Sequence, residues 1–440
     1  MVHYDSQFQS FIDEFSNLTQ LQLDPQNRWI QLSSILPWDR MVQIYQKKFS
    51  STMGAKSINP RCVIGAFIIK HKLGLSDVET LQTISENPYM QFFLGQHNFN
   101  PKPLFSPTLF VDIRKKLGSE TFDVFNQMLH ELVKEQDSSP STLATQSQAA
   151  EQPKPKGHLK IDATVADQYI SYPTDLRLVN EVREKTEVMV DELFDLLRAE
   201  YPVKPRTYRR QAHKRYLAIA KQKKPSTSAK RMALRYLLNC VERNLGYINT
   251  MLDKRANRFA LSAATQRELW IVTHLYQQHR HMYQTQTHQH DDQIVSISQP
   301  HVRPIVRGKA GKGVEFGAKL SLSLMDEILF EDKVSWDNFN ESNRLQAQAE
   351  TYQLLNGFYP ELIQCDKIYH TNANRSFCKE NNIRLTAAEK GPKKALKTYE
   401  KRKKRKEYNE RNHIEGRIGN AKQALSLNEI KAKLKVTSEA

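Results

Sequence analysis

Residues 314–324, Val-Glu-Phe-Gly-Ala-Lys-Leu-Ser-Leu-Ser-Leu, alternate without error. Val314, Phe316, Ala318, Leu320, Leu322 and Leu324 share one parity; Glu315, Gly317, Lys319, Ser321 and Ser323 share the other. Successive side chains of a strand point to opposite faces, so this period of two predicts a β-strand with one apolar face. Two shorter apolar runs also read as strands, each ending on an acid. His158-Leu159-Lys160-Ile161 runs into Asp162 and a loop, and Leu362-Ile363-Gln364-Cys365 ends at Asp366. Helices are expected at about 342–356, 373–381 and 395–423, with another short strand at 383–388. Strands interleaved with helices predict an α/β sheet. The stretch from about 176 to 285 is helical and very basic, and reads as an insertion after the first strand.

Upstream, residues 1–135 carry helical periodicity and form the expected all-α N-terminal domain. Val63, Ile64, Phe67, Ile68 and Ile69, then Val78, Leu81 and Ile84, mark two helices around Lys72-Leu73-Gly74-Leu75-Ser76-Asp77. Gly74 suits a helix C-cap and Ser76 or Asp77 an N-cap, the layout of a helix-turn-helix. A second helix pair is expected over 105–135. Residues 136–156, rich in Ser, Gln and Pro, read as a disordered linker, because they lack the apolar surface to offset chain entropy. The α/β domain then spans 157–440, with its basic helical insertion at about 176–290.

The charge is uneven. The chain of 440 residues carries a formal +17, yet residues 203–290 alone hold eighteen Lys/Arg against three Asp/Glu, and residues 393–422 hold twelve against four. The rest is net acidic. Cations concentrated in two segments point to a polyanion, most simply nucleic acid. No run of eighteen apolar residues, no signal peptide and no paired cysteine spacing occurs, so a cytoplasmic protein without membrane partners is expected.

Three acids stand out by position. Asp162 and Asp366 lie where strands end, the place at which α/β sheets gather their sites, and Glu415 sits in the long C-terminal helix. Carboxylates from separate elements can hold hard cations such as Mg²⁺, and two such ions serve phosphoryl transfer. Asp167 and Asp175 are the nearest rivals to Asp162. Around Glu415 the helix presents Tyr408, Arg411 and Lys422, all within a sector of about 60° at 3.6 residues per turn. A carboxylate, two cations and a phenol therefore face one way. The run Lys401-Arg402-Lys403-Lys404-Arg405-Lys406 just before them is expected to grip phosphates, chiefly through Lys403, Lys404 and Arg405.

The Y-x₂-R-x₃-E-x₆-K order of Tyr408, Arg411, Glu415 and Lys422 resembles the signature of a large group of bacterial insertion-sequence transposases with a DDE triad. Lys160-Ile161-Asp162-Ala163-Thr164-Val165 with Tyr172-Pro173-Thr174-Asp175-Leu176 is similar to that group's first-Asp region. Arg303-Pro304-Ile305-Val306 through Lys319 resembles the stretch before its second Asp, and Asp366-Lys367-Ile368-Tyr369 the second-Asp turn. The resemblance implies a ribonuclease-H-like catalytic fold in which Asp162, Asp366 and Glu415 are the catalytic acids and bind two Mg²⁺ ions, with Mn²⁺ as the expected substitute. It implies that Tyr408, Arg411 and Lys422 contact the DNA backbone. It further implies a nucleoid-associated bacterial enzyme that binds the inverted repeats of its element, pairs them as a homodimer on double-stranded DNA, cleaves, and transfers strands to target DNA, with the insertion holding flanking or target DNA.

Relatives of that group generally continue further past the Lys position than the eighteen residues found here. A shortened, catalytically silent repressor is therefore the alternative expectation, and a nuclease of the same fold without strand transfer a second. The histidines His274, His279, His281, His288 and His290 read as a polar helix end rather than a zinc or nickel site. Gly308-Lys309-Ala310-Gly311-Lys312-Gly313 lacks the order of a nucleotide-binding loop.

Overall fold

The computed structural model describes residues 22–49, 57–137, 154–201, 203–254, 261–306, 313–386 and 398–439. The chain separates into two compact units: residues 1–166, 319–335 and 339–440 form the first, and residues 167–318 with 336–338 the second. Most of the expected linker, and the glycine-rich stretch up to residue 312, lie outside the described residues.

The first unit opens with helices α1 (Arg28–Ile35), α2 (Trp38–Gln46), α3 (Pro60–Leu73), α4 (Asp77–Glu86), α5 (Pro88–Phe93) and α6 (Thr108–Asp137). The expected caps are present. Helix α3 stops at Gly74, whose φ of 66° is left-handed. Helix α4 starts from Ser76, whose hydroxyl accepts from the Glu79 amide while the Glu79 carboxylate accepts from the Ser76 amide, a reciprocal capping box. Trp38, Phe67, Phe93 and Phe110 form the buried centre of this bundle, each contributing roughly 1.5–3 kcal/mol by leaving water. The helix pair expected over 105–135 is present within α6, whose two helical halves meet at a kink at Gly118 (φ 66°, ψ 172°). A glycine reaches that conformation at no steric cost, so the chain bends without a loop.

The sheet consists of β1 (His158–Gln168), β2 (Arg303–Val306), β3 (Val314–Met325), β4 (Ile328–Ser335), β5 (Leu362–Gln364), β6 (Arg384–Leu385) and β7 (Glu429–Ile430), in the order β2-β3-β1-β5-β6, with β4 on β3 and β7 on β1. The architecture is thus mixed α/β. Strand β5 runs parallel to both β1 and β6, whereas β3 is antiparallel to β2 and β4. The boundary between the units falls within β1 and β3.

Strand β3 is the predicted alternating segment, but its polar parity is as buried as its apolar one. Ser321 and Ser323 are fully buried. The Ser323 hydroxyl donates to Asp332 of β4, and Gln348 of helix α11 (Leu345–Asn356) donates to the same carboxylate at 2.7 Å. Ser323 is tolerated inside because its hydroxyl finds partners there. Beside it, α11, α12 (Asn372–Glu380), β1 and β5 enclose Leu159, Ile161, Ile363, Cys365, Tyr352 and Cys378. Helix α13 (Thr398–Ala424) covers the opposite face, and a short α14 (Lys435–Glu439) ends the described chain.

The second unit holds α7 (Asp175–Leu196), α8 (Arg209–Ala220), α9 (Thr227–Asp253) and α10 (Ala263–Thr285). Val190, Leu193, Leu237, Val241, Ile248, Val272 and Leu275 are its core. Arg183 is buried there with Glu187 and Asn180 as partners, so its charge is compensated rather than stranded.

Candidate active site

Parity in the sheet decides where the acids point. The β1–β5 register pairs Leu159 with Ile363 and Lys160 with Gln364. Leu159, Ile161, Ile363 and Cys365 face the α11–α12 core. Their alternates, Gln364 among them, face α13: the fully buried Gln364 amide donates to the Glu407 carbonyl at 2.8 Å. Asp162 and Asp366 lie two residues past the last of these pairs on neighbouring parallel strands, and two residues on means the same face. One expectation needs correction. Asp162 does not close its strand, since β1 runs on to Gln168; it lies where the pairing with β5 stops, because β5 ends at Gln364 and Asp366 caps a 3₁₀ turn, Lys367–Tyr369, through the Lys367 amide.

Helix α13 brings the third acid. Ile414 and Ile418 pack on Leu320, Leu322, Leu324 and Ala166. The Lys422 ammonium donates to the Val165 carbonyl of β1 at 2.7 Å. Apolar contacts and these polar ties at Gln364 and Lys422 set both the rotation and the height of the helix. With Ile414 buried, Arg411 (8% exposed) turns toward the sheet, while Tyr408 and Glu415 are about half exposed. Arg411 donates from Nη2 to Glu415 Oε1 at 2.7 Å, and its guanidinium carbon sits 5.4 Å from the centre of the Tyr408 ring.

The electrostatics converge on Arg411. Burial alone would lower its pKa, but Glu415, Asp162, Asp366 and Tyr408 together raise it above the ordinary arginine value. Asp162 is held above the usual carboxylate range first by burial and then by the negative charges of Glu415 and Glu341, against which the Ala163 amide and Arg411 pull downward. All three expected acids therefore act on one guanidinium, and Asp162 is short of positive charge.

Among the described residues no set of three or more His, Cys, Asp or Glu side chains is grouped tightly enough to hold a metal ion as arranged. The donor chemistry nevertheless suits a hard dication. The groups around Arg411 offer carboxylate oxygen and no sulfur or imidazole, the ligand type that Mg²⁺ and Mn²⁺ prefer, and the crowding that raises Asp162 is the deficit a cation would relieve.

Other expected residues lie elsewhere. Lys403 and Arg405 are exposed on the first half of α13; the side chain of Lys404 lies outside the described residues. A shallow depression lined by Arg402, Arg405, Lys406, Asn409, Glu410 and His413 runs along that helix, turned away from Glu415 by roughly two-fifths of a turn at 3.6 residues per turn. Asp175, a rival to Asp162, belongs to the second unit, where it pairs with His288 at 3.1 Å and lies 3.7 Å from the buried His279. Glu341 and Gln364 escaped the sequence reading. Glu341 precedes α11 and is ion-paired to Lys319 at 2.9 Å, and only the folding of β3 against that turn brings it near Asp162.

Comparison with known proteins places these elements. Residues 363–440 match the family described as Transposase DDE domain, and residues 17–116 match that described as Transposase domain (DUF772). Both matched stretches are thus transposase-type sequence, and the first contains Asp366, Tyr408, Arg411, Glu415 and Lys422. The chain is also similar to the uncharacterized protein ORF8 in the nfe locus of Rhizobium meliloti, with 28% identity over 166 residues, covering 38% of this chain and 74% of that protein. No solved structure matches. No helix among the described residues is long and apolar enough to cross a membrane.

Proposed function

We propose that the protein is an insertion-sequence transposase that cleaves DNA at the ends of its element and joins the freed ends to a target. The observation that carries this reading is the convergence of Asp162, Asp366 and Glu415 on Arg411, all but Asp162 lying within the DDE-type match. In this reading the α/β unit is ribonuclease-H-like, residues 1–135 are the end-binding domain, and the working form is a dimer on DNA.

Asp162, Asp366 and Glu415 would hold two divalent ions, which supply Lewis acidity to the scissile phosphate when bound. The chain's own residues do the rest. Arg411 stands among the acids and opposes the rise in the pKa of Asp162. Tyr408, half exposed beside the guanidinium, offers a phenol to a phosphate oxygen. Lys422 ties the helix to β1 through the Val165 carbonyl, so that the acids of two elements keep a fixed spacing, the kind of positioning on which phosphoryl transfer depends.

The test is cleavage of a duplex bearing the element's end in the presence of Mg²⁺. Asp162→Asn, Asp366→Asn and Glu415→Gln are each expected to abolish nicking and joining while leaving end binding intact. Mg²⁺-dependent nicking that survives in any of the three would refute the assignment of that acid.

A further inference from the structure

The turn of α13 that enters the site is fastened to the sheet at one residue. The β5–β6 register pairs Leu362 with Arg384 and Ile363 with Leu385, and Ile363 and Leu385 pack into the α11–α12 core. Alternation then turns Arg384 and Gln364 toward α13, from two neighbouring strands. Both reach Glu407. Arg384 donates from Nη1 to the Glu407 carboxylate. The Gln364 amide donates to the Glu407 carbonyl at 2.8 Å and to the Glu410 carboxylate at 3.3 Å.

Glu407 is 7% exposed, and along α13 it is the first buried side chain among the described residues. At 3.6 residues per turn Glu407, Arg411, Ile414 and Ile418 lie within a sector of about 60°, and all four are buried, so they form the seam that meets the sheet. The far half of this seam is apolar. Apolar contact is non-directional, so Ile414 and Ile418 press the helix onto the sheet but let it slide. An ion pair with a buried partner adds little net stability, because desolvation offsets the attraction; it is directional, however, and can set register. Here the pair is reinforced at the same residue by the hydrogen bond to its carbonyl, which in α-helical geometry is also the acceptor of the Arg411 amide. Glu407 thus acts on its neighbours: Tyr408 follows it, and Arg411, on which the acids converge, is one turn on.

We infer that Glu407 is a positioning residue for the cleavage reaction, and that Arg384 of β6 and Gln364 of β5 work through it. Together they fix the turn of α13 that carries Tyr408 and Arg411, so that Glu415 is held at one spacing from Asp162 and Asp366. The inference rests on the transposase reading. It adds to that reading three residues that touch no reacting atom.

The experiment uses the full-length protein and Mg²⁺-dependent nicking of a labelled duplex bearing the element's end, with kcat and KM measured separately. Glu407→Gln and Arg384→Gln are each expected to lower kcat by roughly 10- to 100-fold, the scale set by a misplacement of about 1 Å. KM, and the affinity for the end in EDTA, should stay at the parental values. The double variant should be no slower than the slower single, because the two residues act as one unit, and Arg384→Lys should recover most of the loss. Arg384 is 43% exposed, so its replacement leaves the core packed and settles the question should Glu407→Gln fail to fold. Parental kcat in Arg384→Gln, or losses that multiply in the double variant, would overturn the inference. A parent protein without Mg²⁺-dependent nicking overturns the transposase reading and the inference with it, an outcome distinct from a parent that nicks no faster than its variants.

Discussion

Arg411 and Glu415 are joined across one helical turn by a 2.7 Å hydrogen bond, with the arginine buried and the glutamate half exposed. An exposed pair at this spacing contributes only about 0.3–0.5 kcal/mol. The asymmetry makes this pair different: the same guanidinium also answers Asp162 and Asp366, so it is the central cation of the acid cluster rather than a surface ornament.

Replacing Arg411 by Gln removes a charge that lowers the pKa of Asp162, whose carboxyl already titrates above the ordinary range. The acid limb of the cleavage profile is expected to move to higher pH, and Arg411→Lys to restore part of the shift. Rates of Mg²⁺-dependent nicking between pH 5 and 9 read this directly. An unmoved limb in Arg411→Gln contradicts the arrangement.

Burial and the neighbouring carboxylates of Glu415 and Glu341 disfavour the charged form of Asp162. Its pKa is raised on folding, so it contributes stability only while protonated, and that contribution is lost as pH rises through the folded pKa. Asp162→Asn keeps an oxygen to accept the Ala163 amide and removes the charge, so its melting temperature in EDTA at neutral pH should exceed that of the parent. Mg²⁺ should then raise the melting temperature of the parent and leave the variant where it was.

Ile414 is fully buried against β3 and adjoins Glu415. Truncation to Ala should cost about 2–5 kcal/mol in urea unfolding, the range for large apolar residues in cores. Leu425 is 54% exposed just beyond the same helix, and its truncation should change stability by less than about 0.5 kcal/mol.

Two glycines should respond in opposite directions. Gly74 caps α3 with φ +66°, and a Cβ there would lie 3.1 Å from the Ser426 hydroxyl; Gly74→Ala is expected to cost roughly 1–2 kcal/mol. Gly416 is helical, and a Cβ would meet nothing within 4 Å, so Gly416→Ala should stabilise by roughly 0.5–1 kcal/mol. Denaturant midpoints of the two variants on either side of the parent are the result to look for.

His279, buried in the second unit, has its pKa lowered to about 4 by desolvation, against the opposing pull of Asp175. Below pH 6.5 the unfolded chain takes up a proton that the folded chain refuses, so stability is full above about 6.5 and falls as pH drops toward 4. The loss is on the order of 3 kcal/mol at 1.36 kcal/mol per unit. His71 in the first unit is shifted the same way, also by burial first. Melting curves from pH 7.5 to 4 should show a shallower pH dependence for His279→Gln than for the parent.

Parts of the fold were legible because local rules govern them. The period of two at 314–324 and the caps at Gly74 and Ser76 follow from patterns a few residues long, and the candidate acids at 162, 366 and 415 were singled out by where they fall in such patterns. The extent of β1 was not legible, because a strand's length depends on which neighbours pair with it, and Asp162 looked like an end when it is a place where one neighbour stops. The burial of Ser323 escaped for the same reason, since its partners, Asp332 and Gln348, are distant in the chain. The strand β4 was missed too: Ile328–Ser335 carries charges that break the alternation, and its ladder with β3 compensates for them.

By itself the amino-acid order determined which residues carry charge and which segments carry helical or alternating apolar periodicity, since these depend on covalent chemistry and nearest neighbours. Only the tertiary structure decided that Arg411 turns inward while Tyr408 and Glu415 remain half in water, and that Glu341 stands near Asp162. Those outcomes depend on the rotation of α13 over the sheet, which Ile414, Ile418 and the Gln364 and Lys422 hydrogen bonds set through contacts between residues far apart in the chain.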